Sequence, residues 1–94
     1  MSFLLIRHKV QDYVKWKAAF EDHAETRKTS GSKGGQLFRS VGDLNEVIIL
    51  LEWDSMAKAR LFTQSEDLKQ AMERAGVSDQ PDIYFIEEVD RPPA

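Results

Sequence analysis

From Glu46 to Trp53 the chain reads EVIILLEW, and the apolar residues ignore the period of two that a half-wet strand shows. Val47, Ile49 and Leu51 point to one side, Ile48 and Leu50 to the other. The opening stretch repeats the pattern, with Leu4 and Ile6 against Phe3 and Leu5. So does Asp82–Val89, where Ile83 and Phe85 oppose Tyr84 and Ile86. These runs predict strands over Phe3–Val10, Glu46–Trp53 and Asp82–Val89, and QLFRSV (Gln36–Val41) predicts another. Between the first two strands the spacing changes to that of a helix. Tyr13, Trp16, Ala19, Phe20, His23 and Arg27 share a stripe, Asp12 is placed to cap its start, and the helix is expected to run to about Lys28. TSGSKGG (Thr29–Gly35) reads as a flexible loop and GDLN as a turn. Asp54 is expected to cap a short helix carrying Met56, Ala59 and Phe62. Ser65 caps a second, with Leu68, Met72 and Ala75 inward and Gly76 as its stop.

The order is β-α-β-β-α-β, which predicts an α+β, ferredoxin-like fold: a four-stranded antiparallel sheet with helices on one face. Helices on one side leave the other side of the sheet bare, yet both sides are apolar. The expectation is a homodimer that buries the bare sheet face against a second copy. The chain reads as one domain over residues 1–94, with 90–94 as a flexible tail.

Composition narrows the chemistry. Ninety-four residues with a formal net charge of -3 lack the basic balance of a nucleic-acid binder, so no nucleic-acid partner is expected. With no cysteine, disulfides, thiolate metal sites and a cysteine nucleophile are excluded. The apolar run Phe3–Ile6 is too short for a signal peptide, and no stretch is long enough to span a bilayer. No membrane partner is expected, and the cytoplasm is the expected compartment. Neither a P-loop nor a dinucleotide fingerprint is present, and no cofactor or metal is expected.

The helical stripe carries the candidate chemistry. Trp16 and Phe20 are ordinary core residues, but His23 and Arg27 continue the same line toward one end of the sheet. There Trp53, Lys33, the glycines of the loop and Glu87 or Glu88 are expected to converge into a mostly apolar cleft with a few polar groups. His23 can be a half-buried histidine satisfied by backbone, or a group that orients or protonates a ligand near neutral pH. Arg27 can pair with Glu87 or Glu88, or offer a bidentate fork to a ligand oxygen. Trp53 is either core or a wall for a planar ligand, and Trp16, Phe20 and Phe38 are the other aromatic candidates for the lining. The glycine loop is a connector or an anion nest. His8 is expected at the other end, beside Tyr13 and with Tyr84 as a further candidate neighbour, too far for a metal site shared with His23. Glu21, Asp22, Glu25, Glu66, Asp67, Glu73 and Arg74 read as solvated helix faces.

EVIILLEWDSMAKARLF (Glu46–Phe62) followed by SEDLKQAMERAG (Ser65–Gly76) resembles the dimeric α+β barrel proteins, in particular the antibiotic biosynthesis monooxygenase-like group. The resemblance implies a homodimer forming a shared barrel, with a ligand pocket between sheet and helices of each protomer. It implies, for some members, oxidation of polyketide-derived phenols or quinols by dioxygen with no metal or flavin. Other members degrade haem. Trp53 matches the tryptophan that lines the site at the end of the third strand in those branches. Their first-strand asparagine is replaced here by Arg7 and His8. The later helix offers Lys69, Gln70, Ala71 and Met72 where they carry a histidine, so the haem ligand is missing.

The expected function is therefore a cofactor-independent monooxygenase acting on a small aromatic substrate, with His23 and Arg27 as catalytic residues. The alternative is a non-catalytic ligand-binding or regulatory dimer, since ACT-type domains share the topology. RNA-binding domains also share the strand order, but the central strands lack the exposed stacking aromatics that RNA needs.

Overall fold

The apolar runs do form strands, and the computed structural model, which describes all 94 residues, joins them into one antiparallel sheet. In chain order the elements are β1 (Ser2–Lys9), α1 (Tyr13–Asp22), α2 (Ala24–Ser30), β2 (Ser32–Arg39), β3 (Glu46–Trp53), α3 (Met56–Thr63), α4 (Glu66–Ala75) and β4 (Asp82–Glu87). The sheet order is β2-β3-β1-β4, so β1 and β3 are central and antiparallel to their neighbours. This is the expected α+β, ferredoxin-like arrangement. No helix is long and apolar enough to cross a membrane.

Strand parity decides what is buried. Leu4, Ile6 and His8 on β1 and Val47, Ile49, Leu51 and Trp53 on β3 lie beneath the helices, with Trp16, Phe62 and Leu68 packed over them. The opposite parity makes the outer face. There Leu5 pairs across strands with both Leu50 and Tyr84, Phe3 with Ile86, and Phe38 with Ile48. Tyr84 is 55% exposed and Phe38 46% exposed, so the outer face presents apolar surface to solvent. At one end of that face Arg7 bridges three carboxylates, Asp82 at 2.7 Å, Glu46 at 2.9 Å and Asp79 at 3.1 Å. These bonds tie the ends of β1, β3 and β4 together and hold the guanidinium firmly in its charged form.

Several boundaries differ from the sequence reading, each for a local reason. The first helical stretch is interrupted at His23 (φ -86°, ψ 0°), which closes α1 and opens α2. Asp12 caps α1 as expected, accepting from the amides of Val14 and Lys15. At α3 it is Ser55, not Asp54, that accepts from the Lys58 amide, and Asp54 instead meets the Lys58 ammonium at 3.3 Å. GSKGG is not a loop. Gly31 (φ 119°) ends α2 in the left-handed region, and β2 begins at the next residue. A Cβ on Gly35 would stand 1.9 Å from the Leu50 carbonyl oxygen, so only glycine lets β2 lie this close to β3.

Candidate functional site

The interruption at His23 positions the site. Helix α1 buries Trp16 and brings Phe20 beside it, their rings stacked with centroids 5.0 Å apart. Because the chain pauses at residue 23, the imidazole lies between the helices, 6.0 Å from the Phe62 ring. Its Nε2 is 2.6 Å from Asp67 Oδ2 in the first turn of α4. A carboxylate can only accept, so His23 Nε2 carries the hydrogen, and in the neutral form of the ring the lone pair is on Nδ1. The His23 side chain is 10% exposed, whereas Asp67 stands mostly in solvent at 55%.

Arg27, one turn into α2, folds back over Phe20. Its guanidinium carbon is 3.7 Å from the ring centroid, and Nη1 donates to the Phe20 carbonyl at 2.7 Å. It makes no ion pair. Glu87 accepts from Ser2 and Glu88 from Arg91, so neither expected carboxylate reaches Arg27. Burial lowers the Arg27 pKa from its usual value, as desolvation of an unpaired cation must.

These groups enclose a mostly apolar cavity of about 50 Å³ between sheet and helices. Trp16, Phe20, His23 and Arg27 all line it, with Phe62 and Met72 among the apolar walls. It is too small for an aromatic ring as it stands, since a hollow of roughly 150 Å³ is what accommodates benzene. A wider groove of about 430 Å³ adjoins it, edged by Lys28, Lys33 and Gly34. Phe20, Arg27 and Leu51 border both spaces, so the Arg27–Phe20 pair is the partition between them.

Two predicted lining residues lie elsewhere. Trp53 is 2% exposed and packs behind Phe62, ring centroids 5.0 Å apart, without lining the cavity. Phe38 is on the outer face of the sheet, because its parity in β2 matches that of Ile48 and not that of Leu51. Lys33 is in the adjoining groove, 3.9 Å from Glu52 and 3.8 Å from Asp54.

Two further residues belong here that the sequence reading placed elsewhere. Asp67 had no local signal, being 44 residues from His23. His8 did have one, since it shares the inward parity of Leu4 and Ile6. It is 2% exposed and lines the same cavity as His23, while Tyr84 is on the opposite face. Its ring meets Trp16 edge-on at 5.7 Å, and neither ring nitrogen has a hydrogen-bond partner. Burial pushes its pKa down to about 4, with Asp79 opposing that fall and Arg7 adding to it, so the imidazole is neutral at pH 7. No group of three or more His, Cys, Asp or Glu side chains is placed to hold a metal ion.

The comparisons with known proteins agree with this fold. The family described as antibiotic biosynthesis monooxygenase matches residues 14–74. No curated protein matches the sequence. A protein of Bordetella bronchiseptica bearing the same family name superposes with a TM-score of 0.80 at 16% identity, covering 94% of this chain and 96% of its own. SnoaB, a cofactor-independent oxygenase from Streptomyces nogalater, gives 0.78 at 12% identity, with 99% and 97% covered. A namesake of the family from Caulobacter crescentus CB15 gives 0.74 at 21% identity, with 95% and 90% covered. At these identities the likeness establishes the fold. The match over residues 14–74, spanning both halves of the cavity wall from α1 to α4, establishes the lineage: the chain belongs to the antibiotic biosynthesis monooxygenase family.

Proposed function

We propose that the protein is a cofactor-independent monooxygenase of the cytoplasm that acts on a small phenol, quinol or anthrone in the cavity between sheet and helices. The observation that carries this reading is the His23–Asp67 pair at 2.6 Å, which sets His23 on the wall of a mostly apolar cavity. Asp67 fixes the imidazole so that Nδ1 is the base. His23 takes the proton from the substrate's acidic position, and Arg27 stabilises the resulting oxyanion at the mouth. The edges of Trp16 and Phe20 form part of its apolar wall.

The electron-rich anion then reacts with dioxygen, the substrate itself being the reductant. For an anthrone, the ring carbon becomes a hydroperoxide after the proton returns from His23. Loss of water leaves a carbonyl: CH2 + O2 gives C=O + H2O, one oxygen retained and one released. Access for such a ring requires Arg27 and Met72, the long flexible linings, to move aside. The apolar outer face supports a homodimer assembled through the sheet, each copy keeping its own cavity.

The test is oxygen uptake with a panel of anthrones and quinols. Uptake above the spontaneous rate that disappears in His23→Ala is the expected result. Uptake equal to background across the panel, or unchanged in His23→Ala, defeats the reading. Thermal shifts by these compounds without any product would favour a binding module instead.

A further inference from the structure

His23 has a partner and a role, but the cavity holds a second imidazole that the reaction scheme leaves idle. His8 enters from the floor, on the central strand β1, where the inward parity calls for an apolar residue. A neutral imidazole brings one N–H and one lone pair, and here both are withheld from water and from the protein. A buried polar group of this kind is costly unless something bonds to it. What adjoins it is the cavity.

The surrounding rings give the cavity a direction. His8 meets Trp16 at 5.7 Å, Trp16 stacks on Phe20 at 5.0 Å, and the Arg27 guanidinium covers Phe20 at 3.7 Å. One wall is thus a column of stacked groups that turn their edges to the cavity, with a neutral imidazole at the inner end and a cation at the outer end. A planar molecule lying against the column has its far edge at His8 and its near edge at Arg27 and His23.

We propose that His8 is a second polar subsite, which hydrogen-bonds a hydroxyl or carbonyl oxygen at the inner end of the ligand. The ligand class is then a fused aromatic with oxygen functions at both ends, one read by His8 and the other by His23 and Arg27. This rests on the reading that the cavity holds an aromatic ligand, but not on its being oxidised there.

The experiment uses the full chain labelled with 15N-histidine and two probes, 2-naphthol and 2,6-dihydroxynaphthalene, which share a frame and differ in one terminal hydroxyl. Dissociation constants are measured by calorimetry for the wild type, His8→Phe and His8→Gln, and the histidine ring nitrogens are followed by NMR. The diol is expected to bind about tenfold more tightly than the mono-ol, the worth of one hydrogen bond. His8→Phe should bind the two equally, and His8→Gln should keep part of the preference. In the wild type the His8 ring nitrogens should shift with the diol and less with the mono-ol. Equal binding of the two probes by the wild type overturns the inference and leaves the oxidation reading standing. So does a preference that survives in His8→Phe, or unmoved His8 nitrogens in a saturated complex. Failure of both probes to bind overturns the aromatic cavity reading together with it, whereas absence of oxygen uptake in a protein that shows the preference defeats the oxidation reading alone. Should His8→Phe not fold, the wild-type nitrogen shifts decide by themselves.

Discussion

His23 and Asp67, 44 residues apart, meet at 2.6 Å and join the end of α1 to the first turn of α4. His23 lines the cavity and Asp67 does not, so the pair that orients the imidazole from behind also ties α1 to α4. His23→Ala is expected to lower kcat by about a hundredfold or more, the usual worth of a general base. Asp67→Ala, which frees the ring without removing it, should lower kcat by a smaller factor with KM nearly unchanged. Steady-state kinetics on an anthrone substrate separate the two, and a wild-type rate in Asp67→Ala would remove the carboxylate from the scheme.

His8→Phe should raise the melting temperature. The substitution removes two buried, unpartnered nitrogens, and the adjoining 50 Å³ gives the larger ring space. A gain of about 1 kcal/mol corresponds to roughly 4–8 °C for a domain of this size. Calorimetry of the two proteins at pH 7 checks it, and a lower melting temperature would show that His8 is satisfied in solution.

Stability should fall on acidification before ordinary carboxylates titrate. The His8 pKa is about 4 in the folded chain against 6.5 for the free side chain. Between those values the unfolded chain binds a proton that the folded one refuses. The stability present above pH 6.5 is therefore lost progressively as the pH drops to about 4, a total of roughly 3 kcal/mol. Asp79 and Asp43, whose pKa values are lowered chiefly by backbone amides of Lys9 and Asn45, add further loss only below that window. Urea denaturation between pH 7 and pH 4 should show the slope in the wild type and a flatter profile in His8→Phe.

Leu50→Glu should separate the proposed dimer into monomers. Leu50 is on central strand β3, opposite Leu5 on the outer face, where a carboxylate would be buried unpaired between two sheets. Light scattering at micromolar concentration is expected to give twice the chain mass for the wild type and the single-chain mass for the variant. A folded wild type of single-chain mass ends the proposal.

Gly35→Ala should destabilise the edge strand strongly, because the added methyl would stand 1.9 Å from the Leu50 carbonyl oxygen. The backbone of β2 must retreat from β3 to accept it, at a cost of a few kcal/mol, about the scale of core overpacking. Hydrogen exchange should show early loss of protection in β2 while β1 and β3 stay closed.

What the chain itself revealed follows from periodicity. Parity in EVIILLEW put Val47, Ile49 and Leu51 on the inner face, and caps at Asp12, Ser65 and Gly76 fell where expected. Trp16, Phe20, His23 and Arg27, which share the helical stripe, all line one cavity. The pause at His23 was invisible, since no glycine or proline marks it and the apolar spacing runs through. The glycines of β2 misled because they imply looseness, whereas here their missing side chains permit close strand contact. Asp67 reads as a solvated helix residue from its neighbours and gains its partner only through the packing of α1 on α4.

The two tryptophans occupy unlike positions, Trp16 on the cavity wall and Trp53 sealed behind Phe62. The molecule therefore carries its own pair of optical gauges. Occupancy of the hollow should quench or shift the emission of the first while leaving that of the second untouched, and unfolding should change both. Single Trp→Phe replacements would let a fluorimeter distinguish filling from melting in the same sample.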